Sequence, residues 1–202
     1  VIAAPPKTRD KLIEATQALM REGGLSAVTT QSVARAAGVA EGTIYRHFDS
    51  RDHLIVSTFC ERLGSEFERA ADALLARAGH GTVEANLSDF IADLLPIYST
   101  AAPGLSMLAA DPALARQTAA ALREQSRGPH RSHELVNRYF IAEQKLGRVR
   151  RDLDVLAASG LLLGICFHHS LLKHLLGEDP SDLRDGEIPL AVAGILARGC
   201  NA

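Results

Sequence analysis

Gly42, Thr43, Tyr45, Arg46 and His47 stand close together in the chain, with apolar Ile44 among them and Phe48 just beyond. At about 100° per residue, Ile44 and Phe48 fall on one side of a helix. Arg46 then points almost opposite, flanked by Gly42 and Thr43, with Tyr45 and His47 on the shoulders. A guanidinium offers a rigid fork of donors that suits base edges and phosphates, and hydroxyl and imidazole groups reach phosphate oxygens. Glycine at Gly42 lets the backbone approach an anion closely, and a helix start there would aim unpaired N–H groups at it. This is the chemistry of gripping a polyanion with readable edges. Glu41 suits a positive helix start but repels a nearby phosphate, so it is expected to tilt away.

Positioning such a face takes a scaffold, and the flanking sequence supplies one. Leu12, Ala15 and Leu19 recur at helical spacing from Thr8 to Glu22, and Gly23-Gly24 then stops the pattern. Thr29 or Thr30 can cap a second helix with Val33, Ala34 and Ala37 inward, before Gly38 turns the chain and Val39 returns to the core. A capping box is not expected there, because no Glu or Gln follows three residues after either threonine. Two short helices joined by a glycine turn, the second divided between an anchoring and a polar side, form the pattern of a helix-turn-helix reader. Ser50 can cap a long helix bearing Leu54, Ile55, Phe59, Leu63 and Phe67, with Arg51 at its exposed start. That helix reads as a lever between two domains, 1–50 and 51–202.

The segment GTIYRHFDSRDHL, preceded at the right distance by TTQSVARAAGV and followed by an all-helical remainder, resembles the TetR/AcrR family of bacterial transcriptional regulators. The resemblance rests on about the first quarter of the chain; the rest is similar only in length and helical rhythm. It implies an all-α fold, an N-terminal three-helix helix-turn-helix domain joined to a larger helical ligand-binding and dimerisation domain. It implies DNA contacts from Thr30, Gly42, Thr43, Tyr45, Arg46, His47 and Arg51, with Gln31 a weaker addition. Arg51 stands where the family often has lysine, and Glu41 where a basic residue is frequent. The implied function is a ligand-responsive repressor, released from a palindromic operator by a small apolar molecule. Double-stranded DNA, an effector and a second copy of the chain are the expected partners.

Composition sets outer bounds. The 202 residues, 47% of them hydrophobic, suffice for a small domain and a larger one with its own core. The net charge of −2 excludes a general polyanion binder. Up to Arg51, the cations Lys7, Arg9, Lys11, Arg21, Arg35, Arg46 and Arg51 barely outnumber Asp10, Glu14, Glu22, Glu41 and Asp49. Affinity for DNA would therefore come from placement and from doubling the reader. Cys60, Cys166 and Cys200 are odd in number and widely spaced, without a CxxC pair, which suits a reduced, cytoplasmic setting. Cys166 reads as a small buried hydrophobe. The opening Val1–Pro6 is too short for a signal peptide and reads as a loose arm.

Beyond the lever, Gly79-His80-Gly81 breaks the pattern and Thr82 starts a helix carrying Leu87, Phe90, Ile91, Leu94 and Leu95, which Pro96 should kink or end. Ala102-Pro103-Gly104 reads as a further closure, followed by a short helix through Met107 and Leu108. Asp111-Pro112 starts another helix that ends near Gly128-Pro129, and the next runs from about His130 to Gln144. The most apolar run, Val155–Phe167, is shorter than the ~20 residues a bilayer needs and reads as a buried helix, not a membrane span. Gly160 and Gly164 on one face would let another helix come close. A last helix is expected from Pro189 to Arg198. The resemblance makes these last two long helices a homodimer interface. It places an effector beside Phe90, Leu94, Tyr98, Met107, Leu108, Tyr139 and Phe167, where binding would shift the lever and spread the two readers.

Other classes find less support in the residues. No nucleophile elbow, phosphate loop or HExxH motif gathers reactive atoms, so no catalytic residue and no cofactor is expected. His168, His169 and His174 lack the three- or four-residue spacing of a helical metal pair, so no metal is expected. An architectural DNA binder would be small and basic, and this chain is neither.

Overall fold

The computed structural model describes residues 7–124, 129–177 and 187–200. Residues 1–6, which carry the expected arm, and Gly128, the expected end of a helix, lie outside them, as does the side chain of Cys200. Among the described residues the regular structure is helical. Helix α1 (Thr8–Gly23) ends on Gly24 at a φ of 66°, a left-handed angle that only glycine takes without strain. Helix α2 (Thr30–Ala37) ends on Gly38, also left-handed at a φ of 68°.

The start of α2 differs from expectation. Thr29 Oγ1 accepts from the Ser32 amide at 3.0 Å, and Ser32 Oγ accepts from the Thr29 amide at 2.9 Å. A capping box therefore forms after all, with a serine hydroxyl doing what glutamate usually does. The segment that follows also differs, because Glu41–Arg46 is a 3-10 helix rather than an α-helix. Its last turn loosens toward α geometry, the amides of His47 and Phe48 both reaching the Ile44 carbonyl at 2.9 Å.

Helix α3 (Arg51–Ala76) is capped by Ser50, whose hydroxyl accepts from the His53 amide at 3.0 Å. Helix α4 (Val83–Ala110) runs unbroken through Pro96 and Pro103, which corrects the expected stops. Each proline removes one backbone donor, yet α4 packs along α3, α7 and α8 at once, and that burial outweighs two missing bonds. Helices α5 (Pro112–Glu124), α6 (Pro129–Lys145), α7 (Val155–Leu176) and α8 (Ile188–Cys200) complete the chain.

Two apolar cores result. The first gathers Leu12, Ile13, Val28, Val33, Ala34, Ile44 and Phe48 with Leu54 and Ile55 of α3. It therefore reaches past residue 50 into the lever, and Met107 of α4 also packs against it. The second fills the space between α3, α4, α6, α7 and α8, around Leu74, Phe90, Leu94, Tyr139, Phe140 and Leu162. The expectation for α7 needs two corrections. Its 22 residues are long and apolar enough to cross a membrane by length and composition, and only part of it is buried. Leu161 stays 68% exposed and Leu156 59%, so one face has no cover among the described residues.

Candidate nucleic-acid interface and cavity

The reader segment is anchored from beneath. Ile44 and Phe48 are buried, and Arg9 of α1 lays its guanidinium 5.2 Å from the Phe48 ring centre while pairing with Glu61 of α3. His53 closes the other side of Phe48, edge-on at 5.8 Å. With the apolar side held, Gly42, Tyr45, Arg46 and His47 are exposed, Thr43 is half-buried, and Gln31 and Thr30 lie on the neighbouring α2. The structure thus brings Thr30, Gln31, Gly42, Thr43, Tyr45, Arg46 and His47 to one region of the small domain. Nothing lies within 4 Å of a Cβ built on Gly42, so its surroundings are open. The Thr43 amide is already bonded to the Ala40 carbonyl at 2.9 Å, which removes one of the donors expected to face an anion.

Two charged side chains behave otherwise than expected. Glu41 does not tilt away: its carboxylate accepts from the Thr30 hydroxyl and joins the two helical segments across the turn. Arg51 turns inward. Its Nε donates to the Val28 carbonyl and its Nη2 to the Leu25 carbonyl at 2.8 Å, while Nη1 lies 3.2 Å from Asp52. The guanidinium spans the link between α1 and α2 and fixes the angle at which they meet α3. No sequence pattern announced this, because the acceptors are main-chain carbonyls more than twenty residues away.

In the larger domain a cavity of about 480 Å³ opens between α3, α4, α5, α6 and α7. Tyr98, Leu108 and Phe167 line it, with Tyr98 and Phe167 edge-to-face at 6.1 Å. Phe90, Leu94 and Tyr139 do not. They are closed into the core, the Tyr139 hydroxyl accepting from Asn86 at 3.1 Å. Met107 faces the first core instead. Cys60, Gly64, Ser132 and His133 also stand on the cavity wall, as do Gly160 and Gly164. The pair of glycines inside α7 was expected to seat another helix; at Gly160 the His133 ring of α6 does come within 3.6 Å of a built Cβ, whereas Gly164 faces open space. Burial pushes the Cys60 thiol up to about 11, aided by Glu61, and the Cys166 thiol up to about 12, so both stay protonated at neutral pH. Burial likewise raises the Tyr98 hydroxyl above its ordinary range.

Residues 12–58 match the family described as bacterial regulatory proteins, tetR family. Over 75 residues the chain is 45% identical to the transcriptional repressor KstR of Mycolicibacterium smegmatis, covering 37% of this chain and 34% of that protein. Over 68 residues it is 31% identical to the fatty acid metabolism regulator protein of Bacillus subtilis, covering 34% and 35%. The chain thus spans about a third of the length of the curated relatives it matches. A solved TetR-family regulator from Mesorhizobium loti shares the whole fold, at a TM-score of 0.72 and 15% identity over 96% of this chain and 97% of that one. The motif and its anchored geometry agree: residues 12–58 carry the domain of the tetR family of bacterial regulatory proteins, and the helical body behind them shares the fold of a TetR-family regulator.

Proposed function

We propose that this chain is a homodimeric transcriptional repressor that binds a palindromic operator and releases it when a small apolar molecule enters the cavity of the larger domain. The observation that carries this reading is the divided reader segment: Ile44 and Phe48 buried, Tyr45, Arg46 and His47 exposed beside them. Arg46 is the base-edge reader in this proposal. Thr30, Thr43, Tyr45 and His47, with Gly42 and Gln31, fix the phosphate backbone, and Arg51 adds what its remaining edge can reach. Dimerisation falls to α7 and α8, where Leu161, Ile165, Leu190 and Ile195 are exposed. Two readers so joined would meet successive major grooves about 34–36 Å apart.

The apolar effector is supported by the cavity wall and by the name of the Bacillus relative, a regulator of fatty acid metabolism. The relatives are regulators rather than enzymes, and a reduced cytoplasm suits two free cysteines and a DNA partner. Selection from random duplexes, followed by gel shift, tests the reading. The expected product is a two-half-site palindrome whose preference Arg46→Ala relaxes at one base pair by about 1–3 kcal/mol. Recovery of no preferred sequence, or an Arg46→Ala preference identical to that of the parent, would overturn it.

A further inference from the structure

Three glycines stand inside helices on the cavity wall, Gly64 in α3 and Gly160 and Gly164 in α7. Glycine is the poorest helix former after proline, so each weakens its helix relative to alanine. Inside a helix such a residue usually admits the close approach of a neighbour. Here only one of the three has such a neighbour: a Cβ at Gly64 or Gly164 would meet nothing within 4 Å, and at Gly160 it would touch His133 Cε1 at 3.6 Å. What the missing side chains create is room in the cavity.

The polar groups on that wall are few and specific. Among the described lining residues there is no Asp, Glu, Lys or Arg. The His133 ring lies with Nδ1 3.3 Å from Ser159 Oγ, and Ser159 Oγ donates its proton to the Leu156 carbonyl at 3.0 Å. A hydroxyl has one proton, so with that proton on the Leu156 carbonyl Ser159 accepts from His133 Nδ1–H, and Nε2 is left without a protein partner among the described residues. Across the wall Tyr98 keeps its proton, and its hydroxyl has no protein partner among the described residues. Among its described lining residues the cavity therefore presents His133, Tyr98, Ser132 and Cys60 as its polar groups in an apolar surround, with no counter-charge for an anion.

We propose that the effector is an uncharged apolar molecule bearing a hydroxyl group, which donates to His133 Nε2 and accepts from Tyr98 while its apolar body lies along Gly64, Gly160, Gly164 and Phe167. The inference rests on the ligand-responsive reading above but is tested without DNA. Decanol and decanoate are titrated into the full-length protein by calorimetry at neutral pH, and the protein's unfolding midpoint is followed with each. Decanol should bind saturably at one site per chain and at least ten-fold more tightly than decanoate. Gly164→Leu, which favours the helix and fills the space, should abolish that heat while circular dichroism and unfolding remain those of a folded protein. His133→Phe and Tyr98→Phe should each cut decanol affinity several-fold yet leave binding of decane, which has no hydroxyl, unchanged. Tighter binding of decanoate, undiminished decanol binding by Gly164→Leu, or equal loss of decanol and decane by His133→Phe would each overturn the proposal. A gel shift separates the two ideas: saturable decanol binding by a protein that recovers no operator counts against the repressor reading alone, and operator binding without any heat from decanol counts against the effector alone.

Discussion

Arg46 and Arg51 carry the same charge in the same small domain, and their surroundings give them different work. Arg46 is exposed on the reader segment with its donors open to solvent. Arg51 spends Nε and Nη2 on the carbonyls of Val28 and Leu25. Only the planar fork can reach two carbonyls at once, and an ammonium cannot replace it. Arg51→Lys, which keeps the charge, is therefore expected to lower stability by about 1 kcal/mol, a discounted figure for partly exposed charged hydrogen bonds. Denaturant unfolding checks it; an unchanged midpoint together with an altered salt slope of DNA binding would make Arg51 a phosphate contact only. Glu41 poses the opposite question, since its carboxylate holds the Thr30 hydroxyl while adding a negative charge beside the proposed phosphate contacts. Glu41→Gln retains an acceptor for Thr30 and removes the charge. We expect tighter binding to all duplexes alike in fluorescence anisotropy, and weaker binding would show that the ionic form of the Thr30 link positions the reader.

At the scale of elements, α3 and α4 join the two cores, and they pack tightly at Gly104. A Cβ there would lie within 2.7 Å of Phe59 Cβ, which is held too near the α3 backbone to swing aside. Phe59 and Met107 both pack against the first core, whereas their neighbours Cys60 and Leu108 face the cavity. The contact thus lies between the cavity wall and the first core. Gly104→Ala should destabilise the protein by about 1–3 kcal/mol through overpacking. Combining it with Phe59→Leu should recover part of that loss, a non-additivity that thermal unfolding can measure. The helix-turn-helix unit was legible from the sequence because its signals are local: Gly24 and Gly38 stop helices, and Ser50 caps one, through contacts within a few residues. Pro96 and Pro103 misled for the complementary reason. Their effect is local, but the packing of α4 along three helices that overrides it is not. The cavity was half-legible, since Tyr98, Leu108 and Phe167 stood out as large side chains, while Gly64, Gly160 and Gly164 contribute by having none.

For the whole molecule, the apolar surface on α7 and α8 is the feature that one chain leaves unresolved. Helix α7 carries three faces. Ala158, Leu162, Cys166 and His169 enter the core, Gly160, Gly164 and Phe167 border the cavity, and Leu161 and Ile165 look outward one turn apart. On α8, Leu190 and Ile195 are each 64% exposed. Leucine and isoleucine so placed keep water against apolar surface, and isologous pairing with a second copy would remove it on both chains at once. The net charge of −2 gives a single reader little long-range pull on DNA, so a dimer would also supply the affinity through linked binding. The double variant Leu161→Glu with Ile195→Glu places charges on that face without touching either core or the reader. Sedimentation should find the parent dimeric and the variant monomeric, with circular dichroism unchanged. Operator affinity should fall by two orders of magnitude or more, because each half-site is then bound alone. A variant that stays dimeric would assign the interface elsewhere, and a monomer that keeps full affinity would mean that one reader suffices.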